Sequence, residues 1–210
     1  GGADPGERRE LLRRLAKLHE EQEENYRAAL DVMAKLLAED VTDEATWAEL
    51  ERLARVATAE ERLAEIFAGE LEKIDADEPA TARLAYRTGE LFEALGARAD
   101  GQKHTNRALQ FYRRAYQFAP EDEQQAFRAI DRLLSAAKRP AERVALYRDA
   151  LEYRTDPVDR VATLHTIAKI EEGEVGDDDA AIVTFRNVLD VDETDATALD
   201  ALGRLYERSE

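Results

Sequence analysis

Apolar residues recur at helical spacing through nearly the whole chain, in segments separated by short polar turns. The first segment, 8–20, carries Leu11, Leu12, Leu15 and Leu18 with charged residues between them. Steps of three and four residues place these leucines on one face of an amphipathic helix, and we expect that face to be core. Ten more segments follow with the same period. The pattern predicts an all-α chain of about 11 helices.

Turn signals group the predicted helices into pairs. Asp43 and the pair Asp156-Pro157 are typical helix starts, and 96–105 is predicted to be an unusually long join. Residues 1–7 are predicted to be a flexible lead-in or tag scar. The predicted units are about 8–41, 42–78, 79–121, 122–155 and 156–193, followed by a lone first helix at 194–210.

The strongest local motif lies at 108–120, where Ala108, Tyr112, Ala115 and Pro120 follow one another at spacings of 4, 3 and 5. Small residues let a neighbouring helix approach, Tyr112 fills the gap, and Pro120 stops the helix. This stretch resembles the second helix of a tetratricopeptide repeat (TPR).

Weaker versions of the TPR pattern recur in tandem. In the first helix of each unit, one position of the repeat motif usually holds a bulky residue, and we call it the bulky slot. It holds Leu12, Trp47, Ala85, Phe127, Leu164 and Leu199, at intervals of 35, 38, 42, 37 and 35 residues. The small slot holds Ala16, Glu51, Gly89, Asp131, Ala168 and Gly203, and the aromatic slot of the second helices holds Met33, Phe67, Tyr112, Tyr147 and Phe185. Glu51 and Asp131 depart from the pattern, so we expect either that the helices splay there or that the register of these units is shifted by one residue.

The resemblance implies a single right-handed α-solenoid of stacked antiparallel hairpins over 8–210. An independent signal supports an internal duplication. Residues 29–54 align without a gap to residues 181–206, at an offset of 152.

The amino-acid composition argues against several classes of function. The net charge of -17 argues against general affinity for nucleic acid, and no apolar run approaches the roughly 20 residues of a membrane-inserted helix. With no cysteine, disulfides and thiolate metal sites are excluded, whereas both cytoplasm and periplasm remain open as compartments, with the cytoplasm favoured. Abundant Arg and Ala indicate a bacterial source.

The resemblance implies that the first helices line a groove that binds a protein or peptide. Many exposed positions there are basic, which favours an acidic, C-terminal carboxylate or phosphorylated segment. The alternative interpretation is that these cations pair with nearby glutamates, such as Lys17 with Glu20 or Glu21 and Arg204 with Glu207. The candidate groove residues are Arg13, Lys17, Arg52, Arg55, Arg83, Tyr86, Arg128, Arg132, His165, Lys169 and Arg204.

No catalytic constellation accompanies the repeats. His19, His104 and His165 are scattered without a second ligand at metal spacing, and we expect His104 in a loop. We therefore predict a nonenzymatic scaffold without cofactor or metal. The alternative function is a self-assembly module or part of a larger multi-repeat protein, pairing as a homodimer through the open terminal helix at Leu199, Leu202 and Tyr206.

Overall fold

A computed structural model describes residues 4–22, 24–74, 79–98, 101–118 and 124–209. Secondary structure in these ranges is entirely helical, which confirms the all-α prediction. The eleven α-helices are α1 Pro5–Glu21, α2 Tyr26–Leu37, α3 Glu44–Val56, α4 Glu60–Leu71, α5 Ala82–Gly96, α6 Gly101–Phe118, α7 Gln124–Ala136, α8 Pro140–Tyr153, α9 Pro157–Ile170, α10 Asp178–Val191 and α11 Ala196–Ser209. A short 3₁₀-helix, Pro79–Thr81, precedes α5, and a π-helix, Glu171–Val175, follows α9.

The chain divides into two compact units, Gly1–Ala119 and Pro120–Glu210. Unit 1 contains α1 to α6 and unit 2 contains α7 to α11. Within each unit every helix packs against the next one along the chain, so consecutive helices form hairpins. A single continuous solenoid over 8–210 stays a prediction.

Aspartate side chains cap the N-termini of the two helices whose starts the sequence predicts. The Asp43 carboxylate accepts hydrogen bonds from the Ala45 N–H at 3.1 Å and from the Thr46 hydroxyl at 2.7 Å. Asp156 caps α9 in the same way, with Pro157 in the first turn. Both predicted helix starts are confirmed.

The small and aromatic slots meet in the α5–α6 hairpin. Gly89 of α5 lies under the ring of Tyr112, and a Cβ atom built on Gly89 would lie 2.7 Å from the Tyr112 Cδ1 atom. The Tyr112 side chain is buried, and its hydroxyl donates to Glu93 Oε2 at 2.8 Å. Burial, and then the contact with the Glu93 carboxylate, raises the pKa of Tyr112. The close approach of α5 and α6 thus depends on a residue without a side chain.

The two carboxylates in small slots have arginine partners. Glu51 of α3 accepts from Arg87 Nη2 at 2.9 Å, and Asp131 of α7 accepts from Arg143 Nε at 2.8 Å. In both cases the arginine belongs to another helix of the same unit. A guanidinium therefore supplies the charge partner that a half-buried carboxylate needs.

The leucine face of α1, which we expected to lie in the hydrophobic core, is largely exposed to solvent. Leu11, Leu15 and Leu18 are 60%, 40% and 42% exposed, whereas Ala16 is buried. The prediction is wrong for these three leucines. Periodicity identifies an apolar face, but none of the described helices of unit 1 covers this one.

The join between α5 and α6 is shorter than predicted. Helix α6 begins at Gly101 rather than after Thr105, so His104 is helical and not in a loop. Its ring stacks on Phe92 with the centroids 6.1 Å apart. The helix therefore includes residues that the sequence predicts to lie in the join, and His104 packs within the α5–α6 hairpin. Pro120, the predicted helix stop, lies outside the described residues.

In unit 2, the π-helix Glu171–Val175 leads from α9 into the turn before α10. This π-helix ends at Gly176, which adopts the left-handed conformation with φ 77°. The Glu171 carboxylate is buried and accepts from Arg148 Nη2 and from the Thr184 hydroxyl, both at 2.6 Å. Glu174 pairs with Arg143 of α8. The turn is therefore fastened to its surroundings by its carboxylates.

Two glycine substitutions test the packing at the small slot. Gly89→Ala should lower the free energy of unfolding by about 1–3 kcal/mol, because the new methyl group overlaps the Tyr112 ring. Gly203→Ala in α11 is the control, because a Cβ there meets no atom within 4 Å. It should stabilise the protein by about 0.5–1 kcal/mol through helix propensity. The measurement is urea unfolding followed by circular dichroism, and equal effects at both sites would contradict a close contact at Gly89.

Candidate functional site

A groove of about 460 Å³ opens along α1 and α3 in unit 1, which are the first helices of the first two hairpins. Its lining includes apolar side chains from α1, α2 and α3 and a rim of opposite charges. We call it the α1–α3 groove. Its residues are Arg13, Ala16, Lys17, Glu20, Glu21, Met33, Ala45, Thr46, Glu49 and Arg52. Three of the predicted binding residues, Arg13, Lys17 and Arg52, therefore lie together.

Arg52 is held by two carboxylates. Its guanidinium donates to both oxygens of Glu20 at 2.8 and 2.5 Å, and to both oxygens of Glu49 at 2.9 and 2.7 Å. The hydrogen bonds to Glu49 and then to Glu20 raise the pKa of Arg52, and the bond from Arg52 lowers the pKa of Glu49. Arg52 thus cross-links α1 to α3, and its donors are largely occupied.

Arg13 and Lys17 are held more loosely. Arg13 Nη2 lies 3.6 Å from Asp43 Oδ2, and Lys17 Nζ lies 3.5 Å from Glu21 Oε1. Both distances exceed ordinary hydrogen-bond lengths, and both cationic side chains are more than half exposed. Such surface pairs contribute at most about 1 kcal/mol. These two cations, four residues apart on one helical face, can therefore exchange partners.

The α9–α11 segment of unit 2 repeats this arrangement at the offset of 152 residues. Arg204 of α11 donates to both oxygens of Glu172, the second at 3.3 Å, as Arg52 does to Glu20. The hydrogen bond from Arg204 is the main cause that lowers the pKa of Glu172. The equivalent sets are Arg13, Lys17, Glu20, Asp43 and Arg52 in unit 1, and His165, Lys169, Glu172, Asp195 and Arg204 in unit 2.

His165 stands in unit 2 where Arg13 stands in unit 1. Its Nε2 lies 2.9 Å from Asp195 Oδ2, and its buried Nδ1 has no hydrogen-bond partner among the described residues. Asp195 also caps α11 by accepting from the Ala198 N–H at 2.7 Å. The hydrogen bond with His165 is the main cause that lowers the pKa of Asp195. Lys169, one turn beyond His165, is exposed.

The remaining predicted residues lie elsewhere. Arg55 lines a separate cavity of about 180 Å³ with Glu51, Glu60 and Arg87 among its neighbours. Arg83 pairs with Glu44 of α3, and Tyr86 packs on the Tyr112 ring with centroids 5.3 Å apart. Arg128 and Arg132 lie on α7, where Arg128 donates to Gln124 Oε1 at 3.3 Å.

The carboxylates that organise these sites were not predicted from the sequence. The predicted pairing of Lys17 with Glu21 is confirmed, whereas Arg204 pairs with Glu172 and not with Glu207 as expected. A signal was present, because Glu20 precedes Arg52 and Glu172 precedes Arg204 by the same 32 residues. The duplication could therefore have suggested both ion pairs.

The predicted self-association residues differ in exposure. Leu199 is 50% and Tyr206 38% exposed, but Leu202 is buried in the core with Ala168 and Phe185. The expectation that Leu202 is partly open is wrong, because its position on α11 faces α9 and α10. The Tyr206 hydroxyl accepts from Arg186 Nε at 2.9 Å.

Metal sites and membrane-spanning helices are both absent from the described ranges. No group of three or more His, Asp or Glu side chains there could hold a metal ion. No helix in the described part of the chain combines the length and apolarity that a bilayer crossing requires.

The packing that identifies the fold is the tandem array of hairpins, with the small slots at Ala16, Gly89 and Ala168 buried and Tyr112 seated on Gly89. The fold is a helical repeat of the TPR type. No protein-family profile and no curated protein matches this TPR-type chain.

Several solved structures align with this TPR-type chain over most of its length. They include TTC0263, a thermophilic TPR protein of Thermus thermophilus, at 17% identity over 94% of this chain and 97% of that one, with a TM-score of 0.38. MamA aligns at 14% identity over 91% and 96%, with a TM-score of 0.44. BtubC from P. vanneervenii aligns at 17% over 87% and 78%, with a TM-score of 0.39. These similarities are weak, and the fold assignment depends on the chain's own hairpins.

The ionised Asp195 side chain gives a pH-dependent prediction. Because the pKa of Asp195 is lowered in the folded protein, the carboxylate stabilises the fold above the unfolded pKa of about 3.9, and this contribution is lost as pH falls through the folded value. Asp195→Asn should therefore lower the free energy of unfolding by about 1 kcal/mol at neutral pH and by less below about pH 4.

Urea unfolding of both proteins between about pH 3 and pH 7 measures this difference. Asp192→Asn is the control, since Asp192 accepts from Thr194 in a turn that Asn can also form. Its effect should stay within about 0.5 kcal/mol throughout. A loss at Asp195→Asn that does not change with pH would contradict the assignment.

Proposed function

We propose that this chain is a noncatalytic scaffold that binds an acidic peptide segment of another protein in the α1–α3 groove. The observation that carries the proposal is the pair of loosely held cations, Arg13 and Lys17, above a partly apolar floor. The chain's net charge of -17 makes such a local cationic pair a specific feature rather than a general property of the surface.

The charges of the groove favour an acidic ligand. Glu20 and Glu49 are both engaged by Arg52, whose single positive charge offsets half of their negative charge within the protein. A ligand carboxylate could replace the 3.6 and 3.5 Å contacts of Arg13 and Lys17 with shorter, charge-assisted hydrogen bonds. Arg13 can also bind a carboxylate through two donors at once.

The spacing of the cations favours an extended ligand. Four residues of helix separate Arg13 and Lys17 by about 6 Å along the axis. Alternate residues of an extended peptide are about 6.6 Å apart and point to the same side. We therefore expect acidic residues at alternate positions of the segment, with the floor at Ala16, Met33 and Ala45 in contact with their aliphatic parts.

The equivalent pair in unit 2 makes a weaker second candidate for the same ligand. Lys169 is exposed and cationic, but His165 is bound to Asp195 and is charged only when protonated. We therefore propose the α1–α3 groove as the primary site.

A second function is favoured by separate evidence. Leu199 and Tyr206 leave an apolar surface open on α11, which fits a self-assembly module or a part of a larger multi-repeat protein.

A charge-reversal experiment tests the groove. The probe is a fluorescent peptide of about 12 residues with Glu at alternate positions, long enough to span both cations, and its Lys counterpart is the reversed probe. Arg13→Glu with Lys17→Glu should weaken binding of the Glu probe at least about tenfold, since each lost charge contact contributes roughly 1 kcal/mol or more. The measurement is fluorescence anisotropy at two salt concentrations, with weaker binding expected at the higher one.

The matched control is Arg27→Glu with Lys35→Glu on α2, which changes the net charge equally outside the groove. It should bind the Glu probe within about twofold of the unmodified protein, because distant surface charges are largely screened. Equal loss in both double variants, or equal binding of the Glu and Lys probes, would rule out recognition by the groove.

A further inference from the structure

We propose that copies of this chain associate head to tail, with the exposed leucines of α1 in one copy packed on the open face of α11 in the next. The leucine stripe is Leu11, Leu15 and Leu18. The α11 face is Leu199, Gly203 and Tyr206. The proposal does not depend on peptide binding in the α1–α3 groove.

The internal duplication shows what the leucine stripe is shaped to contact. At the offset of 152, Leu11, Leu15 and Leu18 correspond to Thr163, Ile167 and Ile170 of α9. Those three are only 1%, 1% and 3% exposed, because in unit 2 this face packs against helix α8, where Ile167 and Ile170 cluster with Val144. The same face of the three-helix block is thus covered by a helix in one copy and exposed in the other.

The α11 face is uncovered for a corresponding reason. Leu199 and Tyr206 are equivalent to Trp47 and Ala54 of α3, which are 7% and 0% exposed. Helix α3 packs against both α2 and α4, whereas the described packing of α11 is with α10 and, through Leu202, with α9. Gly203 lies between Leu199 and Tyr206, and a Cβ there would meet no atom within 4 Å. This leaves room for a close helix.

Charge selects α1 as the partner of this face. Helical spacing places Arg8 along one edge of the leucine stripe, Arg14 and Glu7 along the other edge, and Asp200 and Glu207 along one edge of the α11 face. Contact that sets the Arg8 edge of α1 beside Asp200 and Glu207 therefore brings opposite charges together. Pairing of α11 with a second α11 would instead combine two acidic edges in a chain of net charge -17.

Both arginines are available for such a contact. Arg8 pairs with Glu39 at 3.0 Å and Arg14 with Glu10 at 2.5 Å, and the two arginine side chains are 64% and 73% exposed. Ion pairs this exposed contribute little and can be exchanged.

The contact joins different surfaces, so it is heterologous. Each copy that binds through its leucine stripe still presents a free α11 face, and growth continues unless the rotation closes a ring. This distinguishes the arrangement from the closed homodimer through α11 that the sequence suggested.

Mixing of two disabled variants tests the arrangement. The first is Leu15→Glu with Leu18→Glu, and the second is Leu199→Glu with Tyr206→Glu. All four residues are exposed, so both variants should fold, which circular dichroism checks. Light scattering over a concentration series should show the unmodified chain growing beyond twice the monomer mass, and each variant alone at the monomer mass.

An equimolar mixture of the two variants should reach twice the monomer mass and stop there, because only one intact face remains on each chain. A first variant that dimerises alone would indicate α11–α11 pairing and overturn the proposal. So would a mixture, or an unmodified chain, that stays monomeric at every concentration.

A control and a charge variant complete the test. Val56→Glu with Val158→Glu places the same charges on exposed apolar residues outside both faces, and it should assemble like the unmodified chain. Arg8→Glu with Arg14→Glu should raise the apparent dissociation constant at least about tenfold, because it places like charges opposite the acidic edge of α11. If it assembles unchanged, charge does not select α1 and the proposal fails on that point.

Discussion

Each helix pair of this chain has apolar residues on more than one face, and therefore needs a neighbouring helix on more than one side. Helix α9 meets this requirement, since Ile167 and Ile170 pack towards α8 while Ala168 packs with the α10 and α11 residues. Helix α1 carries the same faces but has its leucine stripe exposed. The difference between a buried and an open face is thus a difference of neighbours and not of local sequence. Which apolar faces of the described helices are buried and which are exposed follows from this one constraint.

The ion pair between Glu20 and Arg52 has the same place in unit 1 as the pair between Glu172 and Arg204 in unit 2. Its exposed position means that it contributes little to stability. In the binding site that we propose, its effect is instead on recognition, because it fixes the orientation of Arg52 and compensates a carboxylate at the groove. The cations that remain exchangeable are then a subset of those in the sequence, and in our proposal this subset determines which ligand fits the groove.

The hairpins were predictable because small and aromatic residues recur at fixed spacing, as Gly89 and Tyr112 show. Asp43 was predictable as a helix start because capping is local. Contacts between distant residues were not, so the partner of Arg204 was assigned to the adjacent Glu207 instead of Glu172. His104 was misplaced because its contact with Phe92 of the preceding helix cannot be read from local spacing. Spacing reports which face is apolar, but it does not report whether a neighbour covers that face.

The π-helix Glu171–Val175 forms a turn whose carboxylates are bound by the neighbouring helices. Turns between helices ordinarily accept insertions and deletions, because their side chains are solvated. Here Glu171 is buried against Arg148 and Thr184, and Glu174 is bound to Arg143. One added residue would move all these carboxylates out of register together. The turn after α9 is therefore a poor site for an insertion, because its length is fixed by the contacts of its own carboxylates.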